Sequence, residues 1–193
     1  KITSGMDPRL NQKGCTLIVL AEWKKPVYGN EGIKLITTSI RRNSPIHIDS
    51  KIHHNNLINN ILAKIEANVA SADDALMLDN LGFVAETNSC NIFMIKNNMV
   101  FTPNADACLP GITRMKVIQI CSMNNIIIHL KNLSLTEFYN ADEVFTTGTM
   151  GELVKVEMID GRKIINKNIN PSVFEIIQNH FKKLTETEGE EII

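Results

Sequence analysis

The sequence is poor in the features on which nucleic-acid-binding and membrane proteins depend. Aromatic residues make up 5% of its 193 residues, which is too few for the stacking platforms that bind single-stranded nucleic acid. The 20 basic residues nearly balance the 21 acidic ones, so no basic surface for nucleic acid or an anionic membrane is expected. The longest apolar runs, such as residues 16–21, are far too short to cross a bilayer. We therefore expect neither nucleic acid nor a membrane as a partner.

Cysteine is also scarce, and no two of the 4 cysteines form a Cys-x-x-Cys pair. No zinc site is therefore expected, and no secretory signal is visible. The expectation is reduced, buried thiols in a cytoplasmic protein, or in an organelle if a transit peptide was lost upstream. His53 and His54 are adjacent and lack an acidic partner at ligand spacing, which argues against a metal site.

Three common catalytic and nucleotide-binding motifs are absent. The sequence contains no Gly-x-Ser-x-Gly, no GxxxxGK[ST] and no GxGxxG. A serine-hydrolase elbow, a nucleotide P-loop and a dinucleotide fingerprint are therefore not indicated. The apolar fraction of 44% and the charged fraction of 21% are ordinary for a globular chain, and the length suits one domain with a sizeable core.

The pattern of apolar residues predicts a mixed α/β fold. Strands are predicted at residues 15–23, 33–40, 75–78, 83–86, 91–95, 99–102, 126–130, 143–147, 153–158 and 162–165, with tight turns at 96–98 and 160–161. Helices are predicted at 56–69, with a buried apolar stripe, and at 113–123, 135–139 and 171–184, with Pro171 in the first turn of the last. Residues 24–32 are predicted to be a loop. We expect a mixed sheet or pseudo-barrel with helices packed outside.

The stretch Leu-Pro-Gly-Ile-Thr-Arg at residues 109–114 is the first candidate for a binding site. It places an apolar turn before a predicted helix, and the free N–H groups of a helix start favour a phosphate. Thr113 adds a hydroxyl, and Gly111 permits close approach of the backbone. The alternative is an ordinary helix start, where threonine is a common cap. Residues 148–151, Gly-Thr-Met-Gly, form a second small-residue turn that suits the same anion, or are a plain strand-end turn.

Lys51 and Glu86 are the candidates for covalent and acid–base chemistry. A lysine held against an apolar wall can attack a carbonyl to form a Schiff base, although most lysines are simply solvated. Glu86 ends an apolar strand, where a carboxylate needs a cation or a hydrogen-bond donor unless it reaches water. The protonated pyridine nitrogen of pyridoxal phosphate is such a partner. Arg41 and Arg42 are expected at the surface, with anion binding as the alternative.

Taken together and in this order, the motifs resemble those of the class IV aminotransferases, the fold-type IV pyridoxal phosphate enzymes, and most of all the branched-chain type. The resemblance covers about residues 41–181. The segments that carry it are Ser50-Lys51, Leu57-Ile58-Asn59-Asn60-Ile61-Leu62-Ala63-Lys64, Gly82-Phe83-Val84-Ala85-Glu86, Asn91-Ile92-Phe93, Leu109-Pro110-Gly111-Ile112-Thr113-Arg114, Ala141-Asp142-Glu143-Val144-Phe145, Gly148-Thr149 and Ile159-Asp160-Gly161.

The resemblance implies a role for each candidate residue. Lys51 is the implied Schiff-base lysine, which also carries the proton between substrate and cofactor. Glu86 is the implied partner of the pyridine nitrogen. The other implied cofactor-binding residues are Leu109 on the ring and Ile112, Thr113 and Thr149 on the phosphate; Met150 and Gly151 are implied to bind the substrate carboxylate. The implied reaction moves an amino group from an amino acid, branched-chain in the first instance, to a 2-oxo acid such as 2-oxoglutarate, in a homodimer.

The resemblance also implies a domain organisation. Family members carry a smaller domain upstream, so residues 1–184 are expected to be the large C-terminal, cofactor-binding domain, with 1–13 an irregular lead-in and 185–193 an acidic tail. Two alternatives share the fold, namely a lyase of the aminodeoxychorismate type and a D-amino-acid aminotransferase. A third alternative is a non-catalytic ligand-binding fragment that lacks the small domain.

Overall fold

The fold is a nine-stranded sheet with four α-helices, seen in a computed structural model that describes residues 6–10, 14–23, 27–29, 32–165 and 171–189. The strands are β1 (Ile33–Thr37), β2 (Asp74–Leu78), β3 (Val84–Thr87), β4 (Asn91–Lys96), β5 (Met99–Thr102), β6 (Ile128–Leu130), β7 (Glu143–Gly148), β8 (Glu152–Ile159) and β9 (Arg162–Lys163). The helices are α1 (Ile58–Val69), α2 (Ile112–Met123), α3 (Leu135–Tyr139) and α4 (Val173–Thr187). None of these helices is long and apolar enough to cross a membrane.

The sheet is mixed and curled, as the sequence predicts. Its strands lie in the order β3-β2-β1-β8-β7-β4-β5-β6, and β9 pairs with β8 beside this path. Strand β1 is parallel to both β2 and β8, and β5 is parallel to β6, whereas the other pairs are antiparallel. The expected α/β pseudo-barrel with outer helices is therefore confirmed as a half-barrel.

Alternating side chains of β4 and β7 build the core on both faces of the sheet. Ile92 and Val144 belong to the cluster that α3 covers, whereas Phe93 and Phe145 belong to the cluster beneath α2 and α4. The rings of these two phenylalanines stack with their centroids 5.0 Å apart. Because successive strand residues point to opposite faces, one strand pair supplies two separate apolar layers.

Two tight hairpins confirm the predicted turns. Asn97 and Asn98 have φ values of 50° and 61°, and Asp160 and Gly161 have values of 51° and 75°. Two consecutive left-handed residues match the right-handed twist of the flanking strands, and Asn, Asp and Gly tolerate that conformation best. Local turn chemistry therefore decides the register of both hairpins.

The other predicted helices and strands are found with small shifts in their ends. Strands β6 and β9 are shorter than predicted, and Pro171 precedes α4 rather than lying in its first turn. The helix begins after Ser172, whose side chain forms a capping box with Glu175. It continues to Thr187, three residues beyond the predicted end. Of the predicted lead-in, loop and tail, residues 1–5, 11–13, 24–26, 30–31 and 190–193 lie outside the described part.

The predicted strand at residues 15–23 is wrong. Residues 14–23 contain no regular structure, and the apolar side chains from Leu17 to Leu20 are 75% to 86% exposed. A strand is stable only beside a hydrogen-bonded neighbour, and no strand of the described sheet pairs with this segment. Cys15 is exposed, unlike the predicted buried thiols, whereas Cys108 and Cys121 are buried as expected.

Helix α1 is confirmed, but its apolar stripe is not buried. The side chains of Ala63 and Ala67 face the sheet and pack with Ala75 and Met77. The large apolar residues are 43% to 83% exposed: Leu57, Ile58, Ile61, Leu62, Ile65 and Val69. Small residues permit the close approach of helix to strand, so the larger apolar face lies on the side away from the sheet.

Candidate active site

A cavity of about 610 Å³ lies where β3, the start of α2 and the β7–β8 turn converge. Its volume is typical of a site for a small molecule or cofactor. Seven of the eight predicted site residues line it, at Glu86, Leu109, Ile112, Thr113, Thr149, Met150 and Gly151. The eighth, Lys51, is not part of its wall. The fold thus brings together segments that are far apart in the sequence.

The N-terminus of α2 opens onto this cavity. Gly111 precedes the helix with extended backbone angles, and no side chain caps the first N–H groups. The first turn contains no acidic residue, so the positive end of the helix dipole has no compensating charge of its own. The helix starts at Ile112, one residue before the predicted start, and Thr113 is buried in its first turn. This arrangement suits an anion such as a phosphate.

Asn91 holds the turn before α2 in place. Its side-chain amide donates to the carbonyl oxygen of Leu109 over 2.8 Å and to Glu86 Oε2 over 3.2 Å. A Cβ atom on Gly111 would overlap the Asn91 side-chain oxygen, so the close approach requires glycine. The sequence motif contains Asn91, but only the tertiary contacts reveal this role.

Glu86 is a buried carboxylate with fixed partners. It is 5% exposed, and its Oε1 accepts a hydrogen bond from Arg42 Nε over 2.6 Å. The Leu109 N–H donates to its other oxygen over 3.4 Å. Burial raises the pKa of Glu86 to about 7, although Arg42 and the Leu109 N–H act in the opposite direction. The carboxyl group is therefore held in one orientation and titrates near neutral pH.

Arg42 is buried, so its predicted surface position is wrong. It is 8% exposed and also donates to the side-chain oxygen of Asn59 over 3.0 Å. Arg41, beside it, is exposed as predicted. An adjacent pair in an irregular segment gives no periodicity from which one buried member could be recognised. Of this buried ion pair, Glu86 lines the cavity, and Arg42 holds its carboxyl group from behind the wall.

Lys51 lies outside the cavity wall in this structure. Its Nζ is 3.3 Å from Asp49 Oδ1 and 3.4 Å from the carbonyl oxygen of Asp106. Its side chain is 42% exposed, so it does not rest against an apolar wall. Two nearby segments do reach the cavity, since His53 and Leu109 both line it.

A different lysine, Lys64 of α1, does line the cavity. Its Nζ lies 3.3 Å from Asp74 Oδ1 and also donates to the carbonyl oxygen of Asp73. Asp74 is 1% exposed and accepts a hydrogen bond from the Tyr28 hydroxyl over 2.6 Å. Burial and the Asp74 carboxylate raise the pKa of Tyr28. Lys64 ends one of the segments that carry the resemblance, but no role was predicted for it. Tyr28 and Asp74 lie outside those segments, and only the tertiary contacts bring them to the cavity.

The side chains that reach the cavity include no grouping suited to a metal ion. Within the described ranges, no three residues among histidine, cysteine, aspartate and glutamate cluster closely enough to ligate one. The polar groups of the cavity are instead helix N–H groups, hydroxyls, the carboxyl groups of Glu86 and Asp74, the Lys64 amine and the His53 ring. Such a set suits an organic phosphate with a nitrogen base.

Comparison with known proteins gives a consistent result. The family model of amino-transferase class IV matches residues 2–159. A branched-chain-amino-acid aminotransferase-like protein of Arabidopsis thaliana is 60% identical over 98% of this chain and 34% of its own length. A D-alanine aminotransferase of Bacillus licheniformis is 35% identical over 85% of this chain and 59% of its own.

A solved structure extends the similarity to the fold. The crystal structure of an aminotransferase from Brucella abortus, bound to the cofactor pyridoxal phosphate, has a TM-score of 0.72 and 30% identity, covering 84% of this chain and 56% of its own. The chain thus spans between about a third and three-fifths of the length of these relatives. On the family match and the shared fold, this chain belongs to amino-transferase class IV.

Proposed function

We propose that the protein containing this chain is a pyridoxal phosphate-dependent aminotransferase. It moves an amino group from an amino acid, branched-chain in the first instance, to a 2-oxo acid such as 2-oxoglutarate. The observation that carries this proposal is one cavity that combines the uncapped start of α2 with the buried carboxyl group of Glu86. Membership of the family supports it, and we take the predicted cofactor-binding unit, residues 1–184, to extend to the end of α4 at Thr187, with the residues after it as a tail.

The residues of the cavity fit pyridoxal phosphate. The N–H groups of Ile112 and Thr113, with the hydroxyls of Thr113 and Thr149, would hold the phosphate at the helix start. Leu109 would pack on the ring, and Glu86 would face the ring nitrogen. The bound cofactor supplies an electron sink that the protein side chains lack.

Lys51 would be the amine that holds the cofactor covalently, and its Nζ would carry the substrate proton. To do so its side chain must turn away from Asp49 and Asp106, which it contacts in this structure. The N–H groups of Met150 and Gly151 are proposed to bind the substrate carboxylate. Both residues line the cavity beside the phosphate end, at the β7–β8 turn, which supports this assignment.

The alternatives predict different products. The similarity to the D-alanine aminotransferase of Bacillus licheniformis supports the first alternative, a D-amino-acid aminotransferase. A lyase of the aminodeoxychorismate type would use Lys51 and Glu86 as well, and would cleave its substrate instead of transferring an amino group. A non-catalytic ligand-binding protein would bind the cofactor without turnover.

The test is an amino-transfer assay on the protein loaded with pyridoxal phosphate. Incubation with L-leucine and 2-oxoglutarate is expected to give glutamate, measured by chromatography, whereas D-alanine is expected to give none. Glutamate from D-alanine alone would favour the D-amino-acid alternative. A bound cofactor without any transfer, from either donor, would contradict aminotransferase activity.

We also propose that the protein forms a homodimer through the exposed apolar face of α1, defined by Leu57, Ile58, Ile61, Leu62, Ile65 and Val69. The charged residues of α1 point elsewhere, since Lys64 pairs with Asp74 and Glu66 accepts hydrogen bonds from the Thr38 and Ser39 hydroxyls. A second copy therefore meets this face without repulsion between like charges. Two-fold pairing of identical surfaces is the commonest form of self-association.

Ile61→Glu is expected to weaken this self-association at least about tenfold, because it places a charge in the apolar interface. The measurement is the mass in solution by light scattering over a dilution series. Met123→Glu is the matched control, since Met123 is an exposed apolar residue at the end of α2. Equal masses for the wild type and the Ile61→Glu variant would disprove the proposed surface.

A further inference from the structure

Thr147, at the end of β7, carries a buried hydroxyl that has no hydrogen-bond partner. The residue is 1% exposed. Among the described residues, only two other buried side-chain atoms are in this state, Nε of Arg114 and Oε2 of Glu143. Thr147 alone of these three residues contributes to the cavity wall. An unsatisfied polar atom at a binding site calls for a partner that the ligand supplies.

The position of Thr147 in the sheet places it close to the start of α2. It pairs directly with Asn91 of β4, and facing residues of an antiparallel pair have side chains on the same face. Asn91 is the residue that binds the Leu109 carbonyl oxygen and lies against Gly111. The Thr147 side chain is therefore on the face of the sheet that carries the proposed phosphate site.

Its neighbour Thr146 provides a contrast within the same strand. Alternation turns the Thr146 side chain to the opposite face, and its hydroxyl has a partner in the carbonyl oxygen of Val154 at 3.5 Å. Both threonines are 1% exposed. They differ in that only Thr147 combines an unpartnered hydroxyl with a place in the cavity wall.

We infer that Thr147 is a further cofactor-binding residue, whose hydroxyl donates a hydrogen bond to a phosphate oxygen of pyridoxal phosphate. This inference rests on the proposed cofactor. It adds a third threonine hydroxyl, from the end of β7, to those of Thr113 and Thr149. The donor and the anionic acceptor match, since a hydroxyl paired with a phosphate forms a charge-assisted hydrogen bond.

The test compares Thr147→Val, Thr147→Ser and Thr146→Val by titration of the apoprotein with two probes, pyridoxal 5'-phosphate and pyridoxal. Thr147→Val is expected to raise the Kd for pyridoxal phosphate about tenfold, the effect of one hydrogen bond to a charged group. Its Kd for pyridoxal, which lacks the phosphate, is expected to be unchanged. Thr147→Ser is expected to restore the affinity, and Thr146→Val to leave both affinities as in the wild type.

The melting temperature of the apoprotein separates binding from a structural role. Thr147→Val is expected to leave it unchanged or to raise it, because the hydroxyl has no partner without the cofactor. Equal weakening toward both probes, or a lowered melting temperature with no selective loss for the phosphate, would overturn the inference. Failure of the wild type to bind pyridoxal phosphate at all would instead overturn the proposed function, and the inference with it.

Discussion

Replacing Lys51 with alanine is expected to abolish covalent attachment of the cofactor, whereas replacing Lys64 with alanine is not. Lys51 is the proposed Schiff-base lysine, and this role needs its primary amine to form the bond to the cofactor aldehyde. The measurement is borohydride reduction of the protein loaded with pyridoxal phosphate, followed by mass spectrometry of its peptides. Transamination by Lys51→Ala is expected to fall at least about 10³-fold, since the variant also loses its proton carrier.

Lys64→Ala is the matched control because Lys64 is the lysine that lines the cavity in this structure, whereas Lys51 is held by Asp49 and Asp106. Labelling of the Lys51 peptide in this variant supports the proposed assignment. If Lys51→Ala keeps the label and Lys64→Ala loses it, Lys64 is the reacting amine and the assignment from the family motif is wrong. The experiment thus decides between Lys51, which the sequence motif indicates, and Lys64, which lines the cavity in the structure.

Truncation of Glu86 to alanine is expected to destabilise the chain by about 3–5 kcal/mol at pH 8, because it leaves Arg42 buried without its partner. Glu86→Gln is expected to cost less, since the amide oxygen still accepts a hydrogen bond from Arg42 Nε. Both variants are expected to lose transaminase activity, because neither can stabilise a protonated ring nitrogen. Urea denaturation gives the free energy of unfolding, and the amino-transfer assay gives the activity. Full activity in Glu86→Gln would contradict the proposed role.

The pH dependence of stability gives a second measurement on Glu86. Burial raises its pKa from 4.5 to about 7, so between these values the folded chain binds a proton that the unfolded chain has lost. The proton-linked part of the Glu86 contribution to stability is therefore present at low pH and is lost as the pH rises from about 4.5 to about 7. The contact with Arg42, on which the cost of truncation rests, is separate from this part. Glu86→Gln is expected to remove this slope in the cofactor-free chain. A wild-type contribution that increases with pH over this range would contradict the raised pKa.

The hairpins and helix positions show how much of the fold could be predicted from the sequence. The Asn97-Asn98 and Asp160-Gly161 turns, and the helical period of residues 58–69, depend on a few neighbouring residues. Such local preferences act whatever the rest of the chain does. The motif residues of the cavity, among them Glu86 and Thr113, could likewise be named in advance, because motif order identifies residues without requiring their coordinates.

Only the tertiary structure decided which surfaces and charges are buried. Arg42 and Arg41 are adjacent and chemically alike, yet one lies beneath Glu86 and the other in solvent. Helix α1 buries its alanines rather than its isoleucines, because the strand beside it accepts only small residues at close approach. The unpartnered hydroxyl of Thr147 is likewise visible only in the folded chain, where pairing with Asn91 fixes its face and the surrounding packing buries it. The sequence by itself thus determined the local elements and the motif residues of the site, since these depend on near neighbours. Which side chains are buried, which groups they pair with, and the place of Lys64 in the cavity wall depend on segments that meet only in the folded chain.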